Sequence, residues 1–408
     1  LRSAILQTYF KSHDELDLRS KILSLCSDVL GGKWVDLHPD NISISHVRGG
    51  LTNLMYLVSR PKFSSSDEQS ATVLLRIQSQ TDHEKLLNEL VVFTSLAESG
   101  LGPKLLGIFP GGRFEEYIPS RPVDHHEVTD LKICTLLARL LPRFHSTAVP
   151  ISKRPSLVNM MREWLALFEE QGNSHVQMRT TSFQLHPNTF PPVVSTSDLA
   201  RELDTVEEFL STSSSPVVFC HNDLTESLSL NLVDFEFSAY NYRGFDLANY
   251  FCAAAIEHNL REYPRYRIDL NKLHNRTMKL EFCKEYVREA KKLNIHIKSE
   301  FSLLREINQF APVVHLFWAI FNLYCEKQEM RLLTALWFLP QCFSLNILLF
   351  LLGTNQYERS TFEFLAQQLA LRHHQVTTVK PILIPEEPRL VKPKLHLVKE
   401  KTLKNLLP

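Results

Sequence analysis

The spacing of apolar positions changes character along this chain. Short alternating or continuous apolar runs dominate the N-terminal part, and helical spacing dominates the rest. Residues 1–30 carry helical spacing that stops at Gly31-Gly32. Ile42-Ser-Ile-Ser-His-Val alternates apolar and polar residues and predicts a strand, and Leu54 to Val58 predicts another after a turn containing Gly49-Gly50. The polar run Pro61 to Ser70 predicts a hairpin loop, and Thr72-Val-Leu-Leu-Arg-Ile a short buried strand. His83 to Leu96 then predicts a helix with Leu86, Leu87, Leu90, Val91 and Phe93 at its apolar positions.

From Leu131 onward helices prevail, over Leu131–His145, Val158–Glu170, Asp198–Leu210, Asn271–Leu293 and Phe301–Cys325. Gln171 to Ser197 predicts a polar, proline-containing connection. Leu332 to Tyr357 holds no charged residue and is long enough for a bilayer of ~30 Å. Pro340, Gln341, Ser344 and Asn346 interrupt it, and each polar group would need a partner in lipid. It therefore reads as two buried helices in preference to a membrane contact, with no stable membrane insertion expected. Val376 to Pro408 has five prolines and seven basic against three acidic residues and reads as a disordered basic tail. The predicted fold class is α+β: a small β-rich N-terminal lobe followed by a large, mainly helical lobe. A cleft between two such lobes is a common place for a nucleotide.

Composition narrows the function. The 408 residues are 44% hydrophobic and 22% charged, the balance of a globular enzyme with room for two cores. Forty-five basic and forty-five acidic residues cancel, so no net field draws the chain to nucleic acid, and no nucleic-acid partner is expected. Seven cysteines lie scattered with no metal or disulfide spacing, several in apolar runs such as Val217-Val-Phe-Cys220. Together with a start that lacks the basic-then-apolar form of a signal peptide, this points to a reducing, cytoplasmic setting.

The strongest chemical signal is His221-Asn222-Asp223 after an apolar strand, followed by Leu232-Val-Asp234-Phe-Glu236. Phosphoryl transfer asks for a carboxylate near the acceptor hydroxyl and further carboxylates for a divalent cation, because the phosphoryl oxygens carry charge that must be neutralised. An Asp on a loop and another at the end of the next strand can supply both from one hairpin. Either piece alone is more often a cap or turn.

Residues 221–252 resemble the signature of the choline/ethanolamine kinase family, above all Asp234-Phe-Glu-Phe-Ser-Ala-Tyr-Asn-Tyr-Arg-Gly-Phe-Asp-Leu-Ala-Asn-Tyr-Phe-Cys. Arg48-Gly-Gly-Leu-Thr-Asn, Val73-Leu-Leu-Arg, Leu101-Gly-Pro-Lys-Leu-Leu-Gly-Ile-Phe and Gly112-Arg-Phe-Glu-Glu-Tyr-Ile-Pro-Ser-Arg-Pro agree upstream, and His315-Leu-Phe-Trp-Ala-Ile-Phe agrees downstream. The resemblance covers about residues 20–325 and implies a bilobal, protein-kinase-like fold. It implies a nucleotide-binding lobe over 1–118, a catalytic and substrate lobe over 119–375, and the tail over 376–408. The activity it implies is ATP- and Mg²⁺-dependent phosphorylation of choline, with ethanolamine as the alternative acceptor, at the entry to phospholipid synthesis. A homodimer is compatible with this reading.

The resemblance also implies residue roles. Asp223 would be the base or the orienting carboxylate for the acceptor hydroxyl, and Asp234 with Glu236 would hold Mg²⁺. Arg76 would bind phosphate, braced by an ion pair to Glu89. Gly49, Gly50, Thr52 and Asn53 would form the turn over the phosphates, and Glu116 to Ile118 would meet adenine. Phe237, Trp318 and Phe321 would cage the ammonium group, which rings can hold where no hydrogen bond is available. Arg243 and Asp246 read as braces of the fold, and His145 and His315 as core histidines.

Three positions depart from the family pattern. Leu228 stands where such loops carry an Asn as second metal ligand, and Ala253 and Ala254 stand where an acidic residue and a Trp are usual. Only ten residues separate Asp223 from Asp234. These departures leave a second reading open, a catalytically weakened or silent relative acting as a binding partner.

Overall fold

The computed structural model of the chain describes residues 15–47, 54–62, 70–77, 83–119, 121, 123–177, 193–224, 233–257 and 267–324. The glycine turn at 48–53, the segment 225–232, the apolar stretch 332–357 and the tail 376–408 lie outside the described residues. Contacts divide the chain into two compact units, Leu1–Arg154 with Val218–Tyr240, and Pro155–Val217 with Asn241–Pro408.

The first unit is built on a five-stranded antiparallel sheet in the order β1-β2-β3-β5-β4, formed by β1 (Ser43–His46), β2 (Leu54–Ser59), β3 (Thr72–Ile77), β4 (Leu105–Phe109) and β5 (Gly112–Glu116). Helix α1 (Glu15–Leu30) packs on β4, and Gly107 is where they meet: a Cβ there would lie 2.4 Å from Val29 Cγ1. Trp34, Val58, Leu75, Phe109 and Phe114 fill the core between this helix and the sheet. The predicted strands and the helix α2 (His83–Glu98) appear within a few residues of their expected bounds. The β4–β5 hairpin is not among the elements predicted from sequence, although Pro110-Gly111 marks its turn and Gly111 takes φ 97° there. Helix α3 (Leu131–His145) has its predicted bounds, with the Asp130 carboxylate accepting from the Lys132 N–H at its start.

The second unit is mainly helical. Its helices are α4 (Leu157–Glu170), α5 (Thr196–Thr212), α6 (Arg243–Ala253), α7 (Arg276–Lys292) and α8 (Glu300–Tyr324), with α8 packed against α4, α6 and α7. Two helix starts differ from expectation by more than one residue because caps override apolar periodicity. Ser195 and Asp198 form a reciprocal capping box that begins α5 at Thr196, and Asn275 caps Met278, so α7 begins at Arg276. The expected polar connection 171–197 also holds a short strand pair, β6 (His175–Gln177) with β7 (Val193–Ser195). Among the described residues, no helix is long and apolar enough to cross a membrane.

Candidate active site

The loop that carries Asp223 leaves strand β8 (Val217–Cys220), which pairs with β9 (Ala239–Tyr242). His221 is fully buried and fastens the two arms of this loop together. Its Nε2 lies 3.0 Å from the Val233 carbonyl oxygen, and its Nδ1 accepts from the Asp223 N–H at 3.3 Å. The tautomer with hydrogen on Nε2 satisfies both contacts. Asn222 adds a second tie, its Nδ2 donating to the Phe237 carbonyl at 2.8 Å.

Asn222 and Asp234 both adopt left-handed backbone, with φ of 65° and 67°. Asn and Asp tolerate that region better than most residues. Asp234 precedes one turn of 3₁₀ helix, Phe235–Phe237. The Phe235 ring is buried against Phe144 at 6.3 Å, His221 at 5.6 Å and Phe93 at 6.5 Å between centroids. A polar crossing therefore rests on an aromatic floor, with Asp223 half-buried and the Asp234 side chain 49% exposed.

Upstream of that loop, β3 and β5 bring two arginines together. Arg76 and Arg113 are directly opposite one another in the strand register, and both are buried. Like charges so placed repel. Glu115 compensates, its Oε1 accepting from Arg76 Nε at 3.0 Å and from Arg113 Nε at 2.7 Å. Arg76 Nη1 lies 3.7 Å from Asp234 Oδ1, and Arg113 Nη2 lies 2.8 Å from Glu89 Oε1. Burial works against the charge on Arg76, but Glu115, Asp234, Glu89 and Glu236 outweigh it and hold its pKa above the ordinary arginine value. Gly112 permits this packing, since a Cβ there would come within 2.4 Å of the Arg76 carbonyl oxygen.

In the second unit, Trp318 and Phe321 stand on one face of α8 with ring centroids 5.5 Å apart. Trp164 lies 5.0 Å from Phe321, and the Trp318 indole N–H donates to Asn249 Oδ1 at 2.6 Å. Arg243 is braced as expected, with Nε and Nη2 on Glu306 at 3.1 and 2.6 Å.

Of the residues singled out from sequence, Arg76 and Asp234 are in contact, Glu89 and Glu236 act on Arg76 electrostatically, and Asp223 is tied to the Asp234 arm through His221. Phe237 lies in the first unit and enters the loop ties through its carbonyl. Glu116 ends β5 and exchanges backbone and side-chain bonds with Lys104, while Ile118 is half-buried just beyond. Gly49, Gly50, Thr52, Asn53 and Leu228 lie outside the described residues. Sequence alone assigns no role to Arg113, Glu115, His221, Trp164 or Asn249. For Arg113 and Glu115 a signal exists: their i, i+2 spacing in a strand puts both on one face.

The donor set fits a nucleotide phosphate and a divalent cation. Arg76 offers a buried cation beside an accessible carboxylate, and Arg113 Nη1 is buried without a hydrogen-bond partner among the described residues. Asp234 and the exposed Glu236 supply the hard oxygen ligands such a cation prefers.

The profile of the choline/ethanolamine kinase family matches residues 44–368, starting later than the resemblance read from sequence and running further. Choline kinase A2 of Caenorhabditis elegans is 34% identical over 75% of this chain and 80% of its own length. Human choline/ethanolamine kinase is 33% identical over the same shares. Among solved structures, choline kinase from Cryptosporidium parvum superposes with a TM-score of 0.62 at 20% identity, covering 78% of this chain and 94% of that one. Plasmodium vivax ethanolamine kinase gives 0.59 at 19%, covering 82% and 94%. The fold is therefore the α+β, protein-kinase-like fold expected from sequence, and the chain belongs to the choline/ethanolamine kinase family.

Proposed function

We propose that this chain transfers the γ-phosphoryl group of ATP to the hydroxyl of choline or ethanolamine, with Mg²⁺ as the metal. Membership of a kinase family supports a nucleotide and a divalent metal in general. The observation that carries the reading on this chain is the junction of Arg76, Asp234 and the His221-tied loop bearing Asp223.

In this reading Asp223 orients the acceptor hydroxyl and takes its proton as the oxygen bonds to phosphorus, and ADP leaves. Asp234 and Glu236 hold the metal, which neutralises charge on the phosphoryl oxygens. Arg76 binds phosphate, with Glu115 and Glu89 fixing its guanidinium. Glu116 and Ile118 meet adenine, and Gly49, Gly50, Thr52 and Asn53 close over the phosphates. Trp318 and Phe321 face the ammonium group. The buried thiols of Cys26, Cys134, Cys220, Cys252 and Cys283 suit a reducing, cytoplasmic setting, with burial pushing Cys26 and Cys252 up to about 12.

A coupled ADP-release assay with choline, ethanolamine or no acceptor tests this. Acceptor-dependent, Mg²⁺-dependent ADP release is expected. Nucleotide binding without acceptor-stimulated release would leave a silent relative in its place.

A further inference from the structure

Two buried arginines placed opposite each other across neighbouring strands are an expensive arrangement, and three separate contacts on Arg113 hold it in place. Its Nε bonds Glu115 on its own strand, and its Nη2 bonds Glu89 on α2. Its guanidinium lies 4.8 Å from the Phe93 ring centroid, one helical turn beyond Glu89. Glu115 then passes the constraint on, because the same oxygen that accepts from Arg113 also accepts from Arg76.

We propose that Arg113 is a positioning residue for nucleotide binding: it locks α2 to β5 and, through Glu115, holds the Arg76 guanidinium turned toward Asp234. This rests on the reading of Arg76 as the phosphate-binding cation. Charge alone does not explain Arg113, since a lysine would supply it. What only the planar guanidinium supplies is two donors in fixed directions for two different carboxylates, with a flat face for a ring. Glu89 therefore acts on Arg76 through Arg113 and Glu115 as well as through its own charge. Losing Arg113 leaves Glu115 without its second donor and lets Arg76 rotate about its bond to Glu115.

The test is calorimetric titration of Mg·ATP into the full chain as wild type, Arg113→Lys and Glu89→Gln, with acceptor KM measured alongside. Arg113→Lys is expected to weaken Mg·ATP binding about tenfold while acceptor KM moves less than about twofold. Glu89→Gln is expected to weaken it less, and adding Glu89→Gln to Arg113→Lys to cost little more, because both cut one relay. A purely structural Arg113 would lower thermal stability and leave nucleotide affinity of the folded protein unchanged. That result, or equal losses for nucleotide and acceptor, overturns the proposal. If Arg113→Lys fails to fold, Glu89→Gln decides: wild-type affinity overturns it. Absence of Mg·ATP binding by the wild type overturns the phosphate reading and this inference together. Tight wild-type binding with unchanged variants overturns this inference alone.

Discussion

His221 and Val233 are joined by a 3.0 Å contact between the imidazole Nε2 and the peptide carbonyl, twelve residues apart in sequence. The same ring accepts from the Asp223 N–H, so one buried side chain sets the spacing between the arm that carries Asp223 and the arm that leads into Asp234. Two carboxylates with separate tasks need a fixed separation, and a loop backbone alone does not give one.

His221→Leu is therefore expected to keep the fold but loosen the two arms, which the Asn222–Phe237 bond still joins. Its two hydrogen bonds and its packing against Phe144 and Phe235 make a stability loss of about 2–4 kcal/mol reasonable. If Asp223 takes the acceptor proton, a displacement of about 1 Å there would cost about 100-fold in turnover. Urea unfolding and steady-state kinetics on the same preparation check both. A variant that loses stability with kcat unchanged would mean the loop is held by other contacts.

Trp318→Ala is expected to raise the KM for choline more than that for ATP. A cation–π contact is worth ~0.5–2 kcal/mol, about 2- to 30-fold. Asn249→Ala removes the acceptor to which the indole N–H now donates at 2.6 Å and should act in the same direction, more weakly. Equal changes in both KM values would assign Trp318 to the core.

Gly112→Ala forces a Cβ toward the Arg76 carbonyl oxygen and the Phe109 ring, each 2.4 Å away. Strand β3 must shift at Arg76, at a cost of about 1–3 kcal/mol. Mg·ATP affinity is expected to fall with stability. A stable variant with wild-type affinity would show that the Arg76 position is not critical.

His315 gives a pH signature in the second unit. Burial, aided by the positive charge of Lys279, pulls its pKa from 6.5 down to about 3. The folded state keeps the ring neutral while the unfolded chain takes up a proton, so stability is complete above about pH 6.5 and is lost as pH falls toward 3. The slope in that window is up to about 1.4 kcal/mol per pH unit. Urea unfolding of wild type and His315→Leu at pH 7.5 and 5.5 tests it: the variant should lose less on acidification. Parallel losses would mean His315 does not titrate on unfolding.

Much of the fold is legible in the residue pattern. The strands at 43–46, 54–59 and 72–77 and the helices at 131–145, 157–170, 196–212, 276–292 and 300–324 follow alternation and helical spacing. Helix α6, buried from Arg243 to Cys252, has no polar face to give it a helical period and is not among the predicted helices. Asp223, Asp234 and Arg76 stand out as charges beside apolar strands. The features that stay hidden depend on pairing between strands. Arg113 and Glu115 gain their meaning only when β5 lies beside β3 in register, and neither charge pattern alone reveals that register. His221 is visible as a residue but not as a tie, because its partner is a backbone carbonyl rather than a side chain. Caps at Ser195 and Asn275, short polar signals, move helix starts a few residues from where apolar spacing sets them.

If Asp223 serves the acceptor hydroxyl while Arg76 and Asp234 serve the nucleotide and its metal, Asp223→Asn separates the two tasks most directly. Phosphocholine or phosphoethanolamine formation should fall by at least about 1,000-fold, while the Kd for Mg·ATP stays within about twofold of wild type. Turnover of Asp223→Asn near the wild-type rate, or loss of Mg·ATP binding in step with turnover, would contradict it.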